Sequence, residues 1–221
     1  MRHWTGWRYS SPACETAMLK ARFKPEQTDR LAGGLASLGL SPNAWTVLSL
    51  VPALAGMAAL MGGRLGWGLA LFSLSAFLDI VDGTVARVTH QATRKGAFID
   101  GVVDRYVELL LYLGLLFYLG RGEFLGLPYE AWFMLLFFGS LMTTFVRAYA
   151  DHRGLVKGEA ELKRMGGLLE RFERLMLLYT GMFLGLFDTQ WMVVVIAITA
   201  VLANATALQR IAFAIRKGNN T

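Results

Sequence analysis

Six stretches of the chain are predominantly apolar: residues 43–62, 65–87, 97–120, 129–150, 168–187 and 190–213. A helix needs about 20 residues to cross a bilayer at a rise of about 1.5 Å per residue, so each stretch is long enough to span. Gly62-Gly63, Gly120 to Gly122 and Asp188-Thr189 mark tight turns after the first, third and fifth stretches, and these turns carry only Arg64 and Arg121 as basic residues. The opposite connections are basic. Lys20, Arg22, Lys24 and Arg30 precede the first stretch, and Arg87, Arg94 and Lys95 lie between the second and third. Arg153, Lys157, Lys163 and Arg164 fill the fourth connection, and Arg216 and Lys217 follow the last stretch. Basic residues favour the cytoplasmic face, and an even number of spans puts both termini there. The pattern predicts an all-α polytopic protein of the cell membrane, with six transmembrane helices and both ends in the cytoplasm.

Ahead of the spans, residues 15–39 alternate Lys20, Arg22, Lys24 and Arg30 with Leu19, Phe23, Leu31, Leu35 and Leu38 at near-helical spacing. An amphipathic helix on anionic headgroups is the expected form, interrupted or kinked at Pro25. The resulting division is an interfacial segment over 1–40, a six-helix domain over 41–215 and a short cytoplasmic tail over 216–221.

Composition narrows the class of function. Hydrophobic residues make up 55% of the 221 positions, and mean hydropathy is +0.44. A net charge of +6 would suit nucleic acid only if it were gathered on one soluble face, and here it is distributed between apolar spans. No nucleic-acid partner is expected. The single cysteine, Cys14, has no partner for an internal disulfide and reads as structural. The first eleven residues have no apolar core of signal-peptide length, so no export signal is expected.

The chemistry concentrates at one place. From Asp79 the chain reads D-I-V-D-G-T-V-A-R, then eight residues, then G-A-F-I-D-G-V-V-D ending at Asp104. On helices, Asp79 and Asp82 share one face and Asp100 and Asp104 another, and the connection is short enough to bring the two faces together. An ionised side chain within a span costs about 2.5–3.5 kcal/mol at the helix centre, so four carboxylates require compensation. Two divalent cations, Mg²⁺ or Mn²⁺, provide it best, because hard ions prefer carboxylate oxygens and a pair of them can clamp a diphosphate. Ion pairs to Arg87, Arg94 and Arg105 are an alternative, and a cation or proton path through a non-catalytic carrier is another. A carrier has no need of Gly83 and Gly96, whose missing side chains let a ligand approach the backbone, nor of Arg87, which offers a fork of donors to phosphate.

This string resembles the signature of the CDP-alcohol phosphotransferase family, D-x-x-D-G-x-x-A-R, eight residues, G-x-x-x-D-x-x-x-D, at every fixed position. At about 5–7% usage per residue type, eight fixed positions match by chance on the order of once in ten billion starts. Leu40-Ser41-Pro42-Asn43 is similar to the segment that leads into the family's first span. The resemblance implies that Asp79, Asp82 and Asp100 bind two metals, and that Asp104 joins the metal site and acts as general base. It places the CDP-linked lipid donor against Asp82, Gly83, Ala86, Arg87 and Gly96, with CMP as leaving group. A homodimer is also implied, and Gly114 and Gly139 are compatible with a helix interface.

The signature does not choose among inositol, inositol phosphate, glycerol phosphate and serine as the acceptor alcohol. Arg147, at the end of the fourth span, and Arg171 and Arg174, one turn apart at the start of the fifth, suit a phosphorylated acceptor. This set, with the segment G-G-L-L-E-R-F-E-R, resembles the phosphatidylinositol-phosphate synthases and their archaeal counterparts, which take inositol phosphate. Tyr149 departs from that branch, which often has a basic residue there. Plain cytoplasmic anchoring is the alternative for the three arginines, as is a CDP-inositol donor for the reaction. Glu108, one turn past Asp104, either extends the polar chain or hydrogen-bonds to Arg105 or Tyr112. His3, His90 and His152 show no ligand spacing, and Trp4, Trp7, Trp67 and Trp191 read as interface anchors.

Overall fold

The computed structural model describes residues 42–88 and 93–218, without the side chains of residues 42, 43, 82, 83, 86–88 and 159. The expected interfacial helix over 15–39 lies outside the described residues, as do His3, His90, Trp4 and Trp7. Eight helices follow in order: α1 (Pro42–Leu48), α2 (Leu50–Met61), α3 (Leu65–Val88), α4 (Arg94–Leu119), α5 (Tyr129–His152), α6 (Glu159–Arg164), α7 (Arg171–Gly185) and α8 (Thr189–Gly218). Every apolar stretch of the sequence is helical, with α1 and α2 sharing the first.

The interruption between α1 and α2 follows from Pro52. Proline has no N–H to give the carbonyl four residues earlier, which is that of Leu48, where α1 ends. The Ser49 carbonyl accepts the Ser75 hydroxyl of α3 at 2.8 Å, tying this irregular point to the next helix.

Three of these segments are long and apolar enough to cross a membrane: Ala44–Met61, Tyr129–His152 and Thr189–Gly218. The other three fall short for a common reason. The apolar part of α3 is Leu65–Val81, after which the signature begins to add charge. α4 carries Arg94, Lys95, Asp100, Asp104, Arg105 and Glu108, and α7 has only 15 residues and begins Arg-Phe-Glu-Arg. The fifth apolar helix is shorter than the expected 168–187, because Glu170 and Glu173 form a reciprocal capping box that starts α7 at Arg171.

One element escaped the hydrophobic pattern. Between α4 and α5, β1 (Glu123–Phe124) pairs antiparallel with β2 (Leu127–Pro128), so among the described residues the fold is helical apart from one two-residue hairpin. Leu125 and Gly126 both have positive φ, at 51° and 75°, as a two-residue hairpin turn of type I′ requires.

The main apolar core among the described residues draws on α2, α3, α4, α5, α7 and α8, with Leu60, Phe72, Leu111, Leu136, Met182 and Ala200 fully buried. Lipid is as apolar as these side chains, so helices gain by close packing and polar ties more than by leaving water. Gly139 lets α5 lie against Asn204 of α8, whose amide donates to the Leu135 carbonyl at 2.8 Å. Gly114 of α4 faces Leu60 of α2. Both glycines are therefore packed within the chain.

Candidate active site

The signature aspartates approach from two helices. Asp79 lies near the end of α3, and Asp100 and Asp104 lie in the second and third turns of α4, which is capped by Thr93 accepting the Gly96 N–H at 3.0 Å. One carboxylate oxygen from each of Asp79, Asp100 and Asp104 lies within 4.8 Å of the other two. Asp104 is buried, and Asp79 and Asp100 are partly exposed. Asp82 stands one turn beyond Asp79 on α3; its side chain, with those of Gly83, Ala86 and Arg87, is outside the description. Three clustered hard oxygen donors, open to solvent on one side, fit a Mg²⁺ or Mn²⁺ ion.

The arginines arrive from α7. Arg171 Nη2 is 2.6 Å from Asp104 Oδ1, its Nη1 is 3.3 Å from Asp79 Oδ2, and its Nε is 3.4 Å from Glu108 Oε1. Arg171 thus joins the aspartate cluster, where the sequence reading had placed it only with the acceptor. Arg174, 1% exposed, gives Nη2 to Glu108 Oε1 at 2.9 Å, while its Nε and Nη1 have no hydrogen-bond partner among the described residues. Arg147 is partly buried on α5, one turn past Thr143 and Thr144 toward the same end of the helix. Arg105 turns away from the aspartates toward Glu108 Oε2 and Thr144, at 3.3 Å each.

What holds α7 in place is the segment before it. Arg210 of α8 donates to the Gly166 and Thr143 carbonyls, each at 2.7 Å. The Leu169 N–H donates to Thr206 Oγ1 at 3.0 Å, and the Leu168 N–H to Gln209 Oε1 at 3.2 Å. A Cβ at Gly167 would collide with Thr206, so the G-G of this segment permits the close approach to α8. Sequence reasoning missed Arg210. A lone arginine near the end of an apolar helix reads as an anchor, and only its burial, at 7% exposed, distinguishes it.

Two secondary expectations also resolve. Glu108 hydrogen-bonds to both Arg105 and Tyr112, the latter at 3.5 Å. Tyr149 accepts from Arg153 Nε at 2.9 Å, and that guanidinium lies 5.2 Å from its ring centroid. Trp67 and Trp191 are 66% and 58% exposed.

The likeness to known proteins runs the length of the helical domain. The chain is 31% identical over 193 residues to the archaetidylinositol phosphate synthase of Methanothermobacter thermautotrophicus, covering 87% of this chain and 88% of that one. The crystal structure of the phosphatidylinositol phosphate synthase of Mycobacterium tuberculosis with CDP-DAG bound superposes with a TM-score of 0.73 at 26% identity, over 86% of this chain and 94% of that one. The same enzyme in complex with manganese and citrate gives a TM-score of 0.72 at 26% identity, over 85% and 88%. Residues 39–212 match the family described as CDP-alcohol phosphatidyltransferase, and with its signature aspartates gathered on α3 and α4 this multi-pass membrane protein belongs to that family.

Proposed function

We propose that this chain transfers a phosphatidyl-type group from a CDP-linked lipid to inositol phosphate, releasing CMP, as a step of phospholipid biosynthesis. The observation that carries the reading is the contact between a carboxylate cluster and a cation cluster: Arg171 bridges Asp79 and Asp104 while sharing Glu108 with Arg174. The synthase names of the relatives support it.

Asp79, Asp82, Asp100 and Asp104 would hold two divalent cations, Mg²⁺ or Mn²⁺. Bound there, the ions offset the charge of the donor diphosphate and of the departing CMP. The chain does the rest. Gly83, Ala86 and Gly96 leave room for the nucleotide, and Asp82 and Arg87 contact it. Arg147, Arg171 and Arg174 hold the acceptor phosphate, and the unpartnered buried Nε and Nη1 of Arg174 are donors that an anion would satisfy. The acceptor hydroxyl oxygen attacks the β-phosphorus, its proton passes to Asp104, and the bond to CMP breaks with its electrons leaving on CMP.

The catalytic unit is the six-helix domain over 41–215. All six apolar segments cross the membrane, with both termini and the site in the cytoplasm. This orientation puts Arg94, Lys95, Arg153, Lys157, Lys163, Arg164, Arg216 and Lys217 inside and leaves Arg64 and Arg121 outside. The working form is a homodimer.

The test is CMP release by the purified full chain with CDP-diacylglycerol, or its archaeal ether analogue, in Mg²⁺ or Mn²⁺. Acceptors are inositol phosphate, glycerol phosphate, inositol and serine. Release with inositol phosphate alone, abolished by chelation and restored by metal, is the expected result. Ion flux in vesicles with no CMP release from any acceptor would overturn the reading in favour of a carrier.

A further inference from the structure

Glu108 lies outside the signature, yet more charged and polar groups converge on it than on any signature aspartate among the contacts described. It sits on α4 one turn beyond Asp104 and is 2% exposed. Oε1 accepts from Arg174 Nη2 at 2.9 Å and lies 3.4 Å from Arg171 Nε, an ion-pair contact without hydrogen-bond geometry. Oε2 receives Arg105 Nη1 at 3.3 Å, the Tyr112 hydroxyl at 3.5 Å and, in a short hydrogen bond, the Ser140 hydroxyl. Donors from α4, α5 and α7 therefore meet on one carboxylate.

A buried carboxylate in a membrane protein is costly and persists where it is paired. Here the pairing is unequal, with three guanidinium groups against one glutamate. If Glu108 served only to neutralise charge, one arginine would suffice. Glu108 fixes where two guanidinium planes point, while the Nε and Nη1 of Arg174, which have no hydrogen-bond partner among the described residues, stay available as donors to a phosphate dianion. A carboxylate repels an acceptor phosphate, so its influence passes through Arg171 and Arg174. Arg171 in turn touches Asp104, so the carboxylate that orients the cations and the one that faces the chemistry are linked through a single side chain.

We infer that Glu108 is a positioning residue for the phosphorylated acceptor, holding Arg171 and Arg174 at the angle that receives the acceptor phosphate beside Asp104. This rests on the proposed use of a phosphorylated alcohol. It goes further in making the acceptor site depend on a carboxylate that never meets the acceptor.

The experiment compares wild type with Glu108→Gln and Glu108→Asp in two assays. In turnover with inositol phosphate, Glu108→Gln, which keeps the shape but turns an amide N–H₂ toward an arginine, is expected to raise the acceptor KM at least tenfold and to leave the donor KM within twofold. Glu108→Asp keeps the charge on a shorter stem and should recover part of the loss. In the second assay, calorimetric binding of inorganic phosphate to the full chain should weaken at least tenfold in Glu108→Gln. The double variant Glu108→Gln/Arg171→Lys should lose less than the product of the two single losses, because both act through one contact. A merely structural glutamate would lower the thermal midpoint or the folded yield of both variants while the KM values of the surviving enzyme stayed put, and that result overturns the inference. So does equal elevation of both KM values, or wild type that binds no phosphate. Wild type that binds phosphate but ignores inositol phosphate would overturn the acceptor assignment and leave the role of Glu108 standing on the phosphate measurement.

Discussion

Arg171 Nη2 lies 2.6 Å from Asp104 Oδ1, joining a cation of the fifth hydrophobic segment to a carboxylate of the third. On the proposed function, a phosphate held by Arg171 and a hydroxyl deprotonated by Asp104 would belong to one acceptor molecule. The spacing of the two functions would then be set by the side chains that link α4 and α7.

Asp104→Asn should cut CMP release by about 10²- to 10⁴-fold, the range lost when a positioned general base is removed. The amide is isosteric, so the thermal midpoint and helical content should stay near wild type. Turnover within threefold of wild type would remove Asp104 from the chemistry.

Arg171→Ala and Arg147→Ala should each raise the acceptor KM by about tenfold or more, as expected for one or two charge-assisted hydrogen bonds, and move the donor KM much less. Arg171→Lys should not restore wild-type behaviour, because an ammonium cannot reach Asp79, Asp104 and Glu108 at once as the planar fork does. Free inositol or serine serving wild type as well as inositol phosphate would refute this set.

Gly139→Ala tests the α5–α8 contact. A Cβ at residue 139 would stand 2.7 Å from Asn204 Nδ2 and 2.9 Å from the Asn204 backbone nitrogen, so the helix itself has to shift. The expected loss is about 1–3 kcal/mol of stability, read as a lower thermal midpoint in detergent. A variant as stable as wild type would show that the two helices are less closely engaged.

Lys217 Nζ is 2.6 Å from Glu161 Oε2, and this hydrogen bond holds the Glu161 carboxyl below its ordinary value. A carboxylate shifted down adds stability above its unfolded pKa and loses it as pH falls through the folded one. Lys217→Ala should therefore lower the thermal midpoint slightly at neutral pH, and the difference should vanish in strong acid. The effect is small because the pair is solvated. A difference that persists in acid would mean that Lys217 acts through its packing.

Much of this protein was legible in the order of its residues. Hydrophobic length located all six long helical segments, because a bilayer fixes the length of an apolar helix and forbids unpaired backbone within it. The aspartate spacing located the metal-type cluster, because residues three and four apart share a helix face. The hairpin at Glu123–Pro128 was not legible, since two-residue strands have no periodicity to read. Neither was the start of α7 at Arg171, which a capping box decides against an apolar Leu168-Leu169.

By itself, then, the sequence determined the helical class, the sites of its long apolar helices and which carboxylates belong together, all of which follow from local periodicity and from the cost of charge in lipid. Only the tertiary structure decided that Arg171 closes on Asp79 and Asp104, that Gly114 and Gly139 are spent inside the chain, and that Glu108 gathers three arginines. Those facts depend on which helix lies beside which, and residues as far apart as Asp79 and Arg171 share no local pattern that could announce their meeting.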